Sequence, residues 1–258
     1  MSGLRPTCFQ LTLAYDGSDF SGWQAQRGGH AQPGGCRTVQ GVLEAALAEI
    51  ARPVRVVGAG RTDAGVHAEG QVASVALATR LDAATLQRAL NAKLPHDVVV
   101  REVALRAPGF HARRDARAKV YRYDVWNGPE RSPLRARRAL HVREPLDLAA
   151  LEEAARHLLG THDFASFQAA GSAVVGTVRT LQRLTLAGVA GHLVSFELQG
   201  DGFLRHMVRN AVGTLLEVGR GRRPPGAMPE VLAARDRAAA GPTAAAHGLT
   251  LVRVLYGA

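Results

Sequence analysis

Lysine is nearly missing from this 258-residue sequence. Lys93 and Lys119 are the only two, so arginine carries almost all of the positive charge. Cysteine is equally scarce. Cys8 and Cys36 match no metal-ligand spacing and cannot build a disulfide framework, which points to a reduced, intracellular, metal-free protein. Long apolar runs are lacking as well: no stretch approaches the ~18 residues of a membrane-spanning helix. Met1 to Pro6 shows no apolar signal-peptide core. What remains is ordinary globular material, 47% hydrophobic and 21% charged, long enough for one large domain or two smaller ones.

Acidic residues fall short of basic ones, 22 against 32, for a net charge of +10. That is the sign of a polyanion binder. The bias toward alanine and arginine leaves a second source open, genomic base composition, so charge alone does not name nucleic acid as the partner.

Hydrophobic periodicity organises the chain. Phe9, Leu11, Leu13 and Tyr15 alternate as a strand does. Thr38 caps a helix whose Val39, Val42, Leu43, Ala46, Leu47 and Ile50 share a face. Val54 to Val57 and Gln71 to Leu77 read as strands, Asp82 begins a second helix with Leu86, Ala89 and Leu90, and Val98 to Leu105 is another strand. This strand-helix-strand-strand-helix-strand order is the split βαβ, or ferredoxin-like, arrangement. The second half repeats it in element order. Val120 to Trp126, Arg179 to Leu186, His192 to Leu198 and Leu249 to Leu255 read as strands; Leu148 to Leu159, Phe203 to Val218 and Pro229 to Ala239 read as helices. The expectation is an α+β protein of two ferredoxin-like βαββαβ-type lobes, residues 1–108 and 109–258, with antiparallel sheets flanking a central active-site cleft. Such sheets leave one face free, a surface used elsewhere to hold RNA. Arg27 to Arg37 and Arg220 to Gly226, rich in Gly and Pro, read as surface loops.

One segment is unusual. Gly58 to Gln71 packs Gly58, Gly60, Gly65 and Gly70 around Arg61, Thr62, Asp63, His67 and Glu69. Glycines allow positive φ and close approach of another chain or a substrate, which would present Asp63 at a sheet end. Asp beside Gly is equally the composition of a plain turn. Chemistry alone leaves both open.

The segment Gly60-Arg61-Thr62-Asp63-Ala64-Gly65-Val66-His67 closely resembles the signature of the tRNA pseudouridine synthase A family. Further segments resemble the family in the same order: Tyr15-Asp16-Gly17, Phe20-Ser21-Gly22-Trp23-Gln24-Ala25-Gln26, Thr38-Val39-Gln40-Gly41, Asn91-Ala92-Lys93-Leu94-Pro95, Phe110-His111-Ala112-Arg113 and Tyr121-Arg122-Tyr123. Gly160 to Phe164, Phe203 to Asn210 and Ala246 to Leu249 complete the set. The likeness spans nearly the whole chain.

The resemblance implies an isomerase that converts uridine to pseudouridine in the anticodon stem-loop of tRNA, at positions 38, 39 and 40. It implies a homodimer with no cofactor, no metal and no membrane attachment, working in the cytoplasm. Asp63 falls on the family's nucleophile, attacking ribose C1′ or base C6. Burial alone opposes an ionised carboxylate, and Arg209, which matches the family motif, is the cation expected to grip it. The alternative is that Arg209 reaches solvent beside Arg205, four residues earlier on the same helix face. Tyr121 matches the family tyrosine that stacks on the target base, and Leu249 the apolar residue that presses on its other side. Outside the resemblance both would be core residues. Arg61 is expected to fill the space vacated by a flipped nucleotide or to bind its phosphate, with simple surface charge as the alternative. His67 and Glu69 are expected to fix the loop, and Trp23 to pack.

Three arginine-rich runs offer phosphate contacts: Arg113, Arg114, Arg117, Lys119 and Arg122; Arg131, Arg135, Arg137 and Arg138; and Arg220, Arg222 and Arg223. Charge and fold class fit a non-catalytic RNA-binding or RNA-chaperone protein equally well. Only the joint presence of Asp63, Tyr121 and Arg209 separates an enzyme from it. A hydrolase using Asp63 to activate water is the third reading, without a second carboxylate or metal site to support it.

Overall fold

The computed structural model describes residues 5–24, 36–169, 171, 176–189 and 192–257. The Gly/Pro-rich loop expected over Arg27 to Arg37 lies, except for Cys36 and Arg37, outside the described residues. Among the described residues no helix is long and apolar enough to cross a membrane. The protein is a mixed α+β structure with mostly antiparallel strands. It divides into two compact units, Met1–Arg117 with Leu251–Ala258, and Ala118–Thr250.

In the first unit, β1 (Thr7–Tyr15), α1 (Val39–Ala48), β2 (Val57–Gly58), β3 (His67–Leu77), α2 (Ala83–Asn91) and β4 (Val98–Arg106) follow in order. β1 is central, antiparallel to β4 on one side and β3 on the other, and β2 adds antiparallel to β3. Phe9 of β1 stands opposite Val75 and Leu105, and Leu11 opposite Ala73 and Val103. The alternating apolar residues of β1 are therefore buried in the middle of the sheet. Thr38 and Asp82 cap α1 and α2 through the amides of Gly41 and Thr85. Asn91 closes α2 onto β4 by donating to the Val100 carbonyl at 2.9 Å and accepting from the Val100 amide at 2.8 Å.

The strand expected over Val54 to Val57 shrinks to Val57–Gly58. Val56 gives its amide to Glu44 and its carbonyl to the Gln40 side chain, both on α1, so its backbone is satisfied without a strand partner.

The second unit holds β5 (Ala116–Trp126), β6 (Leu140–His141), α3 (Leu148–Arg156), β7 (Gly160–Asp163), β8 (Val178–Val189), β9 (Leu193–Gly200), α4 (Met207–Gly219) and α5 (Met228–Ala234). β5, β9, β8 and β7 lie side by side in that order, each antiparallel to its neighbour. The two-residue β6 pairs parallel to β5. β10 (Leu249–Tyr256) ends the chain's elements.

Two helices depart from expectation for backbone reasons. α4 begins at Met207 rather than Phe203, because His206 adopts φ 63° and ψ 0°, a left-handed conformation that stops any helix arriving from before it. α5 ends at Ala234 because Arg235 is left-handed too, at φ 49°. Asp236 then caps a separate 3-10 turn over Arg237–Ala239. β6 and β7 were not legible in the sequence, being two and four residues long.

α4 is buried on most sides, and its polar residues are built into the core. Asn210 donates to the Phe167 carbonyl at 2.8 Å, and its Oδ1 accepts from the Thr243 hydroxyl at 2.6 Å and from Arg237 at 3.3 Å. Replacing it by alanine leaves a buried carbonyl without its donor, a loss of about 1–3 kcal/mol. Asn210→Ala should therefore lower the denaturant midpoint by a corresponding amount in equilibrium unfolding, with the slope unchanged.

Candidate active site

The Asp63 loop joins β2 to β3, and its shape is imposed by the segment that follows β1. Tyr15, at the end of β1, is buried and places its hydroxyl 2.8 Å from the Thr62 hydroxyl. Burial pushes the Tyr15 phenol up to about 12, so it stays a neutral hydrogen-bonding group. Gln71 donates to the Gly60 carbonyl at 2.8 Å and to Tyr15 at 3.4 Å. The Trp23 amide donates to the Thr62 carbonyl at 3.0 Å, and the Gly65 amide to the Phe20 carbonyl at 3.4 Å. The loop closes on itself where the Val66 amide meets the Asp63 carbonyl at 3.2 Å.

Close approach demands glycine at Gly22. Its φ is +93°, and a Cβ there would lie 2.7 Å from the Thr62 carbonyl oxygen and 3.2 Å from the Asp63 carbonyl carbon. Within this frame Thr62 is buried, Asp63 half-buried and Arg61 exposed. His67 is buried and accepts the Gly17 amide at 3.1 Å, a loop-fixing contact. Trp23 is buried with its ring against Gly58.

The bracing segment is itself tied down. Arg37 makes a two-pronged bond to Asp97 at 2.6 and 2.8 Å and lies 4.0 Å over the Phe20 ring. Its carbonyl takes the Ser21 amide at 2.8 Å, while the Asp97 carbonyl takes the Asp16 amide at 3.0 Å. Sequence reading missed Arg37 and Asp97, which stand 60 positions apart and belong to no recognisable pattern.

The other expected residues lie in the second unit. Tyr121, on β5 opposite Leu198, is 7% exposed and meets Phe203 edge to face at 5.1 Å. Tyr123, two residues on, is fully buried and donates its hydroxyl to the Ala245 carbonyl at 2.8 Å. Burial pushes the Tyr123 phenol up, opposed by the nearby Arg209 charge. Arg209 is half-buried in the first turn of α4, whereas Arg205 is exposed. Its Nε donates to the Ala244 carbonyl at 2.8 Å, and its own carbonyl takes the Ala244 amide at 3.1 Å. Arg209 and Tyr123 thus hold neighbouring carbonyls of the segment that leads into Leu249, which is buried at the start of β10. Gly248 completes that packing, since a Cβ there would sit 2.7 Å from the Tyr123 ring. Within this unit the structure brings Arg209 and the approach to Leu249 together, over Tyr123. No group of three or more His, Cys, Asp or Glu among the described residues is placed to hold a metal ion.

The family model described as tRNA pseudouridine synthase matches residues 12–113 and 154–257. The chain belongs to the tRNA pseudouridine synthase family. It is 46% identical to tRNA pseudouridine synthase A of Moorella thermoacetica, over 96% of this chain and 99% of the relative. The enzyme of the same name from Myxococcus xanthus is also 46% identical, over 96% and 91%. That from Geotalea uraniireducens is 43% identical, over 96% and 98%. Among solved structures, an archaeal box H/ACA sRNP Nop10-Cbf5 complex is similar over 70% of this chain and 40% of that one, with 14% identity and a TM-score of 0.35, too low to bear on fold or function. As a pseudouridine synthase the chain is an isomerase. Arg61 and Asp63 lie in the first matched stretch, Arg209 and Leu249 in the second, and Tyr121 between them.

The brace under this synthase's Asp63 loop carries a pH signature. Arg37 holds the Asp97 carboxyl below the usual carboxylate range. A lowered folded value contributes stability above the unfolded carboxylate range of about 4, and the contribution is lost as pH falls through the folded value. Asp97→Asn should therefore be less stable than wild type at pH 7 in thermal melts, with the gap narrowing as the pH is taken below about 4. A gap that stays constant down to acid pH would show that the ion pair contributes nothing.

Proposed function

We propose that this chain converts uridine to pseudouridine in the anticodon stem-loop of tRNA, at positions 38, 39 and 40, with Asp63 as the nucleophile. The observation that carries the reading is the family match on both sides of the chain, with Asp63 held in a glycine-shaped, fully braced loop within it. The Asp63 carboxylate attacks the ribose C1′ or the base C6. The N1–C1′ bond breaks, the base turns while bound, C5 joins C1′, the bond to the Asp63 carboxylate breaks to free it, and the C5 proton leaves as N1 gains one. Atoms balance without a cofactor.

In this reading Tyr121 stacks on the target base, Leu249 supplies the apolar contact on its other side, and Arg209 supplies the cation that grips the carboxylate. Arg61, exposed beside Asp63, takes the space or the phosphate of the flipped nucleotide. Support for Tyr121 comes from its aromatic edge contact on a rigid strand, and for Arg209 from the fixed position of its Nε.

We further propose two ferredoxin-like lobes divided near residue 108, a homodimer and a cytoplasmic location. For the first lobe the support is its element order and the antiparallel neighbours β4-β1-β3-β2. Two-fold symmetry would give the assembly two sites.

Tritium release from tRNA labelled at uridine C5 tests the chemistry. Wild type should release label, and Asp63→Asn should release none while binding tRNA within a few-fold of wild type. Release by Asp63→Asn at the wild-type rate would falsify the assignment. Arg209→Ala should lower kcat by roughly a hundredfold or more, with a much smaller change in tRNA affinity. Equal losses in both would make Arg209 an RNA contact or a folding residue instead.

A further inference from the structure

Three arginine-rich runs offer themselves to RNA by sequence, and the fold treats them differently. In the run at 113–122, Arg114 pairs with Asp115 and Arg122 with Asp124, while Arg113 and Arg117 are exposed. In the run at 220–223, Arg220 and Arg222 pair with Glu144, and Arg223 with Glu217. The middle run is built otherwise. Glu130 is the only acid between Asn127 and His141, and among the described residues no acidic side chain pairs with Arg131 or Arg135.

The two ends of the loop that carries this run are pinned by hydrogen bonds. Trp126 donates its ring N–H to the Glu130 carbonyl at 2.8 Å, and His141 meets the Gly128 carbonyl at 2.9 Å. Asn127 donates to the carbonyls of Val142 and Glu144 at 3.0 and 2.8 Å, and Arg143 to that of Pro129 at 3.2 Å. Pro133–Arg135 forms a 3-10 turn, with the Arg135 guanidinium 5.9 Å over the Trp126 ring. On this scaffold Arg131, Arg135, Arg137 and Arg138 are all exposed, and Leu134, at the turn, is 95% exposed. A fixed loop that spends its hydrogen bonds on holding charge and one leucine in water is arranged for a partner. The loop also falls between the two stretches matched by the family model, so that match assigns it nothing.

We infer that residues 131–138 are a phosphate-gripping arm for the RNA substrate, with Leu134 packing against a ribose or base face. The inference rests on the tRNA reading proposed above, and it names where the RNA is held away from the reacting base. Trp126 lies five steps beyond Tyr121 on β5, about 17 Å along the strand at ~3.3 Å per residue. The arm therefore meets backbone several nucleotides from the uridine under Tyr121, and contributes affinity without reading sequence.

The salt dependence of tRNA binding decides it. The double variant Arg131→Ala/Arg135→Ala should raise the Kd for unmodified tRNA about tenfold at ~0.1 M salt. It should also flatten the slope of log Kd against log salt by roughly 1 to 2, at about 0.7–0.9 per lost phosphate contact. Arg131→Lys/Arg135→Lys, which keeps the charges, should retain the wild-type slope, and Leu134→Ser should weaken binding a few-fold with the slope unchanged. Unchanged Kd and slope in the alanine variant overturn the inference, and would turn attention to a protein partner. Label release by wild type is scored separately: its absence would sink the isomerase reading, whereas the slopes judge the arm alone.

Discussion

Thr62 is bonded from both of its ends, its hydroxyl to Tyr15 and its carbonyl to the Trp23 amide, and the first unit is arranged around keeping those bonds. A carboxylate presented from a loop has no helix or sheet ladder of its own to hold it. Its position is only as good as that of its neighbours in sequence. Here the neighbour is fixed by the last residue of a central strand and by the backbone that follows it. Tyr15 sits at the end of β1, so the loop is anchored to a strand paired on both sides. Gly22 lets the two backbones approach closely enough for the bonds to form, which a side chain at +93° would prevent. Arg37 and Asp97 then hold Phe20 and Asp16 in the same place.

The second unit solves a matching problem by other means. A guanidinium has several donors and a long, flexible stem, so it needs something to restrict it before it can act directionally. Arg209 is restricted twice by Ala244, through Nε and through its own carbonyl. The left-handed turn at His206 starts α4 three residues before Arg209, and so places that side chain in the first turn rather than in mid-helix. Tyr123 holds the next carbonyl along, and a glycine at 248 keeps its ring in place. An apparently unremarkable core tyrosine thereby sets where β10 begins, and with it Leu249.

Elements with long periodic faces were legible in the sequence. β1, α1, α2, β9 and β10 appear close to where alternation or helical spacing put them, and the caps Thr38 and Asp82 work as read. What escaped was set by single backbone states or by contacts distant in sequence. His206 delays the start of α4 and Arg235 ends α5, where the apolar patterns would have extended both helices. β2 was read too long because the partners of Val56 are side chains on a helix, which periodicity cannot represent. The candidate site shows the same division. Asp63 and its glycines stood out locally, whereas the reasons they hold still, Gln71 apart, come from residues tens of positions away.

Charge followed a third course. Counting arginines treats the three basic runs as equals, and the fold does not. Aspartates and glutamates close in space pair with Arg114 and Arg122 in the first run and with all three arginines of the run at 220–223. A surface ion pair adds little to stability, but it does lower the local potential that a phosphate would meet. The run at 131–138 lies in a stretch with a single acid, held by the hydrogen bonds of Trp126, Asn127 and His141. A net charge of +10 is thus a weak statement about RNA, since genome composition can raise it. Exposed Arg131 and Arg135, on a loop whose ends are pinned by hydrogen bonds, make a stronger one, because composition alone has no reason to build the scaffold beneath them.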